Sequence, residues 1–326
     1  MMDRRRFVLT ALAGVVASPL LAEAQHPPRI PRIGVLRWTS QPDAFQTTFR
    51  QALTELGYVE GHNIAIEWRW ADGRPDVADR HAADLRRLAV DVIVASPTPA
   101  AHAARNATQD IPIVISGIAD PVGSGLVRSI ARPEGNVTGV SLNLPAAAGK
   151  RLQILHEVFP TLRRAAFLGS ASDPATNLFV SNTLEAAKQL RIRIDVMLVA
   201  ASSEFEHSFA AMAQKGAGAV IVQPIFVSPR ERSAINELAL RYRLPTISDL
   251  RGFAEAGGLI SYGPNQRETS RRVAGYVARI ISGAKPADLP IEEPTTFELV
   301  INLKTAKALR VTIPPALLLR ADHTIE

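Results

Sequence analysis

The order strand, helix, strand, helix runs through this chain twice, and the two runs meet at Asn136-Val-Thr-Gly-Val-Ser-Leu-Asn-Leu144. Alternation without long strand-only runs demands parallel strands linked by crossover helices, so it restricts the fold to the α/β class. In the first run, apolar strand patterns at 32–38, 63–70, 91–95, 111–115 and 137–141 are separated by helical patterns. The clearest of these carries Phe45, Phe49, Ala52, Leu53 and Leu56 at helical spacing, with Gly57 as its stop. A further helix is expected over 122–131. In the second run, 165–168, 192–199, 219–224, 245–249 and 258–263 repeat the series, displaced by roughly 120–130 residues, which is the mark of one supersecondary plan used twice.

The expected architecture is two similar Rossmann-like parallel-sheet lobes with helices on both faces, joined by a three-crossing hinge around a central cleft. Lobe I covers 25–141, lobe II covers 142–262, and 263–290 returns to lobe I. The C-terminal segment 291–326 is assigned to neither. The crossings fall at 140–145, at 261–265 and near 289–297, where Pro290 and Pro294 mark an extended segment. Gly139, Gly263 and the neighbouring prolines are expected to absorb the backbone rotation.

The first 24 residues stand outside this plan. Arg4-Arg5-Arg6 precede an apolar run from Phe7 to Leu21 that ends at Ala22-Glu23-Ala24, the pattern of an export signal cleaved near Ala24. The arginine pair followed by Arg6-Phe7-Val8 gives it a twin-arginine character. The run is too short to span a bilayer and Pro19 interrupts it, so the mature chain is expected not to cross the membrane. Cysteine is absent, which leaves no disulfide framework and no lipid-acceptor thiol. With 47% hydrophobic residues the chain must rely on core burial, as a periplasmic monomer. The net charge of +6 is scattered, with no basic tract interleaved with aromatics, and nucleic-acid binding is not expected.

Open parallel sheets bind ligands beyond the carboxyl ends of their strands. Those positions are rich in hydroxyls, amides, carboxylates and aromatic rings. The candidates are Trp38, Ser40, Ser96, Thr98, Asp120, Ser141, Asn143, Ser170, Asn177, Gln223, Phe226, Asp249 and Tyr262. Taken singly, each Ser, Thr or Asp is more readily a helix cap or turn residue than a ligand contact. Taken together they line a cleft. Asp120 or Asp249 suits a cationic amine, Ser96, Thr98 and Ser141 suit a carboxylate or amide, and Trp38, Phe226 or Tyr262 suit an apolar body.

Several motifs carry a resemblance to a known family. Ile111-Pro-Ile-Val, Ala119-Asp-Pro-Val-Gly-Ser-Gly-Leu-Val, Ala131-Arg-Pro-Glu-Gly-Asn-Val-Thr-Gly-Val-Ser, Ala256-Gly-Gly-Leu-Ile-Ser-Tyr-Gly-Pro and Phe297-Glu-Leu-Val-Ile-Asn-Leu-Lys-Thr-Ala-Lys-Ala-Leu resemble the ABC-transporter substrate-binding proteins that include the TrpX group. The resemblance spans the mature chain. It implies a type I periplasmic binding protein that closes on a small solute, such as an amino acid or a small aromatic or carboxylate compound, and delivers it to a membrane permease and its ATPase. One departure is Gln223-Pro224-Ile225, where related chains often carry a Gly-Asp-Pro-like turn.

The rival class is an exported α/β enzyme, or a non-transport ligand sensor, using the same cleft. Against an enzyme, the turn after the first strand reads Arg37-Trp38-Thr39-Ser40-Gln41-Pro42 and not Gly-x-Gly-x-x-Gly, and neither a phosphate-cradling loop nor a serine elbow occurs. The seven histidines show no metal spacing, so neither metal nor cofactor is expected. A repressor of this architecture would need an N-terminal helix-turn-helix where the export signal stands.

Overall fold

The computed structural model describes residues 29–40, 44–142, 144–226 and 228–326. The expected export signal and Asn143 lie outside the described residues. The chain divides into Met1–Ile30 and a compact unit, Pro31–Glu326, and both lobes belong to the latter.

The first lobe runs β1 (Arg32–Arg37), α1 (Ala44–Glu55), β2 (Ala65–Trp70), α2 (Pro75–Arg87), β3 (Val92–Ser96), α3 (Thr98–Ala107), β4 (Ile113–Ile118) and β5 (Val137–Ser141). These strands form one parallel sheet in the order β2-β1-β3-β4-β5. The second lobe runs α4 (Leu144–Val158), β6 (Arg164–Ser170), α5 (Thr176–Leu190), β7 (Arg193–Val199), α6 (Phe205–Gln214), β8 (Val220–Val222), α7 (Pro229–Arg241), β9 (Thr246–Ser248), α8 (Arg251–Glu255) and β10 (Ile260–Pro264). Helix α9 (Gln266–Ile281) then packs on α1 and on β3, β4 and β5 of the first sheet. The chain crosses once more to β11 (Phe297–Asn302), α10 (Leu303–Leu309), α11 (Pro315–Leu318) and β12 (His323–Ile325). The second sheet therefore has seven strands in the order β12-β11-β10-β9-β8-β6-β7. Strand β11 breaks its parallel run, pairing antiparallel with β10 and parallel with β12.

Side-chain alternation explains why both faces are covered. Ile33, Val35, Val92 and Val94 face α1 and α9 through Phe49, Leu53, Val273 and Tyr276. Leu36, Ile93 and Ala95, at the intervening positions, pack with Ala78, Ala82 and Leu85 of α2. Strands buried on two faces must be apolar through their centres, as 33–36 and 92–95 are. In the second lobe Ala165, Phe167, Ala219 and Ile221 share a cluster with Leu152 and Leu155 of α4. Ala166, Leu168, Val220 and Val222 pack with Phe205, Phe209 and Ile235. The latter cluster is continuous with that of the first lobe, so the lobes are closed against each other.

Three sequence expectations need correction. Residues 122–131 form turns and no helix. Asp120 Oδ1 accepts from the N–H groups of Val122 and Gly123 at 2.9 and 2.8 Å, and the chain folds back so that Leu126 and Val127 both donate to Pro121 O. A carboxylate that captures backbone donors locally competes with helix formation, and the glycines at 123 and 125 favour the turn. The fourth strand extends to Ile118, absorbing part of the expected loop. Gly139 and Gly263 are strand positions inside β5 and β10 and not loop residues of the crossings.

The crossings are knitted together. Ser141 N–H donates to Glu292 O and Glu292 N–H to Gly139 O, both at 2.9 Å, and Asn265 N–H donates to Thr296 O at 3.2 Å. Arg272 of α9 clasps Glu268 at 2.6 Å and Glu292 at 3.0 Å. A local prediction concerns α7, whose start carries a capping box: Ser228 Oγ accepts from Glu231 N–H at 3.2 Å while Glu231 accepts from Ser228 N–H. Ser228→Ala should cost about 1 kcal/mol in urea unfolding, since the helix start loses its acceptor.

Candidate functional site

Strands β1–β5 are parallel, as are β6–β10, so each lobe gathers its strand carboxyl ends on one edge. The chain leaves β5 at Ser141 and enters α4 at Leu144, and it leaves β10 at Pro264 and enters α9 at Gln266. Such short links force the two carboxyl edges to face one seam. The loop after β4 closes it from the first lobe: Ala119 packs in the apolar cluster of the second lobe, and a β-carbon at Gly123 would stand 3.4 Å from Leu178 of α5.

The expected site residues distribute along this seam unevenly. From the first lobe, Ser96, Thr98, Asp120 and Ser141 stand at the ends of β3, β4 and β5 and at the start of α3, and Ser40 is half-buried after β1. Trp38 is buried in the core, its backbone N–H donating to Ser96 O at 3.0 Å. Asp120 is occupied in building its turn. Ser141 is 2% exposed, and its Oγ is buried without a hydrogen-bond partner.

From the second lobe, Ser170 and Gln223 enter an internal network. Gln223 Oε1 accepts from Ser170 N–H at 2.9 Å and Thr176 Oγ1 at 3.2 Å, and Gln223 Nε2 donates to Asp173 Oδ2 at 2.7 Å. Burial pushes the Asp173 carboxyl above its ordinary range, against the bonds from Ala175 and Gln223. Gln223 thus takes an acidic partner from Asp173, fifty residues upstream. Phe226 is buried, edge-on to Phe205 at 5.3 Å, and half-buried Tyr262 stacks on Phe297 at 5.5 Å. Asn177 is exposed on the first turn of α5 and joins none of these groups.

Sequence reasoning missed Arg151. Helix α4 buries Ala147, Ala148, Leu152 and Leu155 at helical spacing, and Arg151 lies on that inward face, 4% exposed. A cation on an inward face was the available signal. Its Nη1 stands 3.5 Å from Oδ2 of Asp249, the residue after β9, itself 4% exposed, and has no hydrogen-bond partner. Burial lowers the guanidinium below its usual range despite Asp249 and Tyr262, and burial raises the Asp249 carboxyl to about 6 despite Arg151. Both directions say that desolvation outweighs the attraction across this gap.

This buried carboxyl makes stability depend on pH. An ordinary carboxyl titrates near 3.8, and Asp249 near 6. A raised carboxyl favours the fold when protonated, so its contribution is full below about pH 4 and is lost as pH rises through about 6. Compared with Asp249→Asn, the parent should lose on the order of 3 kcal/mol of stability between pH 4 and 7, read by urea titration at each pH.

Among the described residues no group of three potential metal ligands occurs, and no helix is long and apolar enough to cross a membrane. Two α/β lobes, joined by three crossings with the carboxyl ends of β1–β5 and β6–β10 on one seam, define a type I periplasmic binding fold. Residues 32–325 match the family model described as ABC transporter substrate binding protein, and the chain belongs to that family of solute-binding proteins, which are not enzymes. A tyrosine-binding protein of Clostridioides difficile is 26% identical over 279 residues, covering 85% of this chain and 80% of that one. An ABC domain from Streptococcus pneumonia in complex with L-Trp superposes with TM-score 0.84 at 27% identity, over 90% of this chain and 99% of that one. A ligand-free, open substrate-binding protein with adhesive properties from Clostridium difficile superposes with TM-score 0.67 at 24% identity, over 91% of this chain and 100% of that one.

Proposed function

We propose that this protein captures an aromatic amino acid between its lobes and hands it to the permease and ATPase of an ABC importer. The observation that carries the reading is the seam itself: the carboxyl ends of both sheets converge there, and two polar groups, Ser141 Oγ and Arg151 Nη1, are buried in the closed arrangement without hydrogen-bond partners. Buried polar atoms are normally paired, and a ligand is one way to pair them. The likeness to an L-Trp complex and to a tyrosine-binding protein supports an aromatic amino acid as the solute. Ser96, Thr98 and Ser141 approach it from the first lobe, and Asp249 and Tyr262 from the second. The setting is periplasmic, with the signal removed near Ala24 and the mature chain acting as a monomer.

A ligand that binds only the folded protein stabilises it by about 2.7 kcal/mol at one hundred times its Kd. Thermal unfolding with L-Trp, L-Tyr and L-Phe should therefore show a clear rise in Tm for at least one of them, with the compound recovered unchanged. No shift with any of the three would defeat the reading.

A further inference from the structure

We infer that Arg151 and Asp249 form a two-point anchor for the α-carboxylate and α-ammonium of a free amino acid, carried wholly by the second lobe. This deepens the proposed solute-binding role and rests on it. The second lobe holds a ready contrast in Arg164 and Asp195. There Nε lies 2.5 Å from Oδ2 and Nη2 3.2 Å from Oδ1, a two-bond fork in a partly exposed place. Arg151 and Asp249 are more deeply buried yet approach only to 3.5 Å, with one guanidinium nitrogen left without a hydrogen bond. A pair serving structure alone is expected to gain most from the fork, because burial raises the cost of each unmet charge.

A zwitterion meets that need. Its carboxylate accepts from Arg151 and its ammonium donates to Asp249, giving four alternating charges in which each has opposite neighbours. The site is neutral before and after binding, so it asks for a ligand with separated charges and no net charge. An amine without the carboxylate, or an acid without the ammonium, leaves one buried charge unbalanced. Discrimination of this kind comes from the penalty on the wrong ligand. The two anchors come from the second lobe's first helix and the end of β9, and Tyr262, close enough to act on the Arg151 charge, offers an aromatic wall beside them.

Calorimetry on the mature chain with L-Trp, tryptamine and indole-3-propionate tests the anchor. Both analogues should bind about 100-fold more weakly than L-Trp or worse. Arg151→Gln should weaken L-Trp and bring it near tryptamine, and Asp249→Asn should bring it near indole-3-propionate. The analogue series on the unaltered protein decides the matter even where a variant fails to fold. If L-Trp binds and the analogues bind equally well, the anchor is wrong and the aromatic-solute reading stands. If no aromatic compound binds, the other common amino acids are titrated. Binding of one that is lost in Arg151→Gln keeps the anchor and overturns the aromatic reading, and binding of none overturns both.

Discussion

Replacing Arg151 by Met and Asp249 by Leu together should leave the protein at pH 7 at least as stable as the parent, to within about 1 kcal/mol. Each single substitution removes one desolvation cost but leaves the other group, 4% exposed, without its nearest counter-charge. The double variant Arg151→Met, Asp249→Leu removes both desolvation costs and fills the volume with apolar atoms. Urea unfolding of the two singles and the double closes the cycle. A near-neutral double would mean that the pair contributes little to holding the second lobe together, as the opposed shifts of both groups suggest. Its retention would then be explained by what it binds. A double as unstable as the singles would instead make the pair a structural support.

The fold was legible because its causes are local. Buried parallel strands must be apolar at successive positions, and Val92-Ile-Val-Ala and Ala165-Ala-Phe-Leu advertise that directly. Strand direction is not local. Phe297-Glu-Leu-Val-Ile-Asn reads as a strand, but nothing in it says that it pairs antiparallel with β10 and extends the second sheet. The turns at 122–127 were hidden for a related reason: the apolar spacing suits a helix, and the outcome depends on Asp120 reaching forward to two backbone donors. Hydroxyl and amide residues beyond the strand ends can be picked out of the sequence by position. Whether each faces the seam or an internal network is settled by partners far away in sequence, as Gln223 shows with Asp173. Arg151 was missed because charge on a helix defaults to the solvated face, and only the inward phase of Ala147, Ala148, Leu152 and Leu155 contradicts that default.

Gly139→Ala and Gly263→Ala should each cost more than about 4 kcal/mol, beyond the ordinary range for a surface or strand substitution. Gly139 has φ of +133° within β5, and a β-carbon there would overlap the Ile115 carbonyl oxygen and stand 2.6 Å from the Ile115 nitrogen. No side chain can turn away from that contact, because the obstacle is the neighbouring strand's backbone. At Gly263 the added carbon would overlap the Asp249 carbonyl oxygen and stand 2.7 Å from its carbon. The cheapest relief there is to push the end of β9 outward, which moves Asp249 relative to Arg151. Gly263→Ala should therefore lose ligand affinity even at temperatures where it stays folded, whereas Gly139→Ala should act through stability first. Gly275→Ala, in α9 with nothing within 4 Å of the new carbon, is the matched control and should stabilise by about 0.5–1 kcal/mol. Thermal unfolding and calorimetry on the three variants separate these outcomes. If Gly263→Ala binds ligand with unchanged affinity, Asp249 is not tied to β10 in the way the close approach implies. If it fails alone among the three to bind, the crossing at 264–266 and the anchor at Asp249 act as one unit.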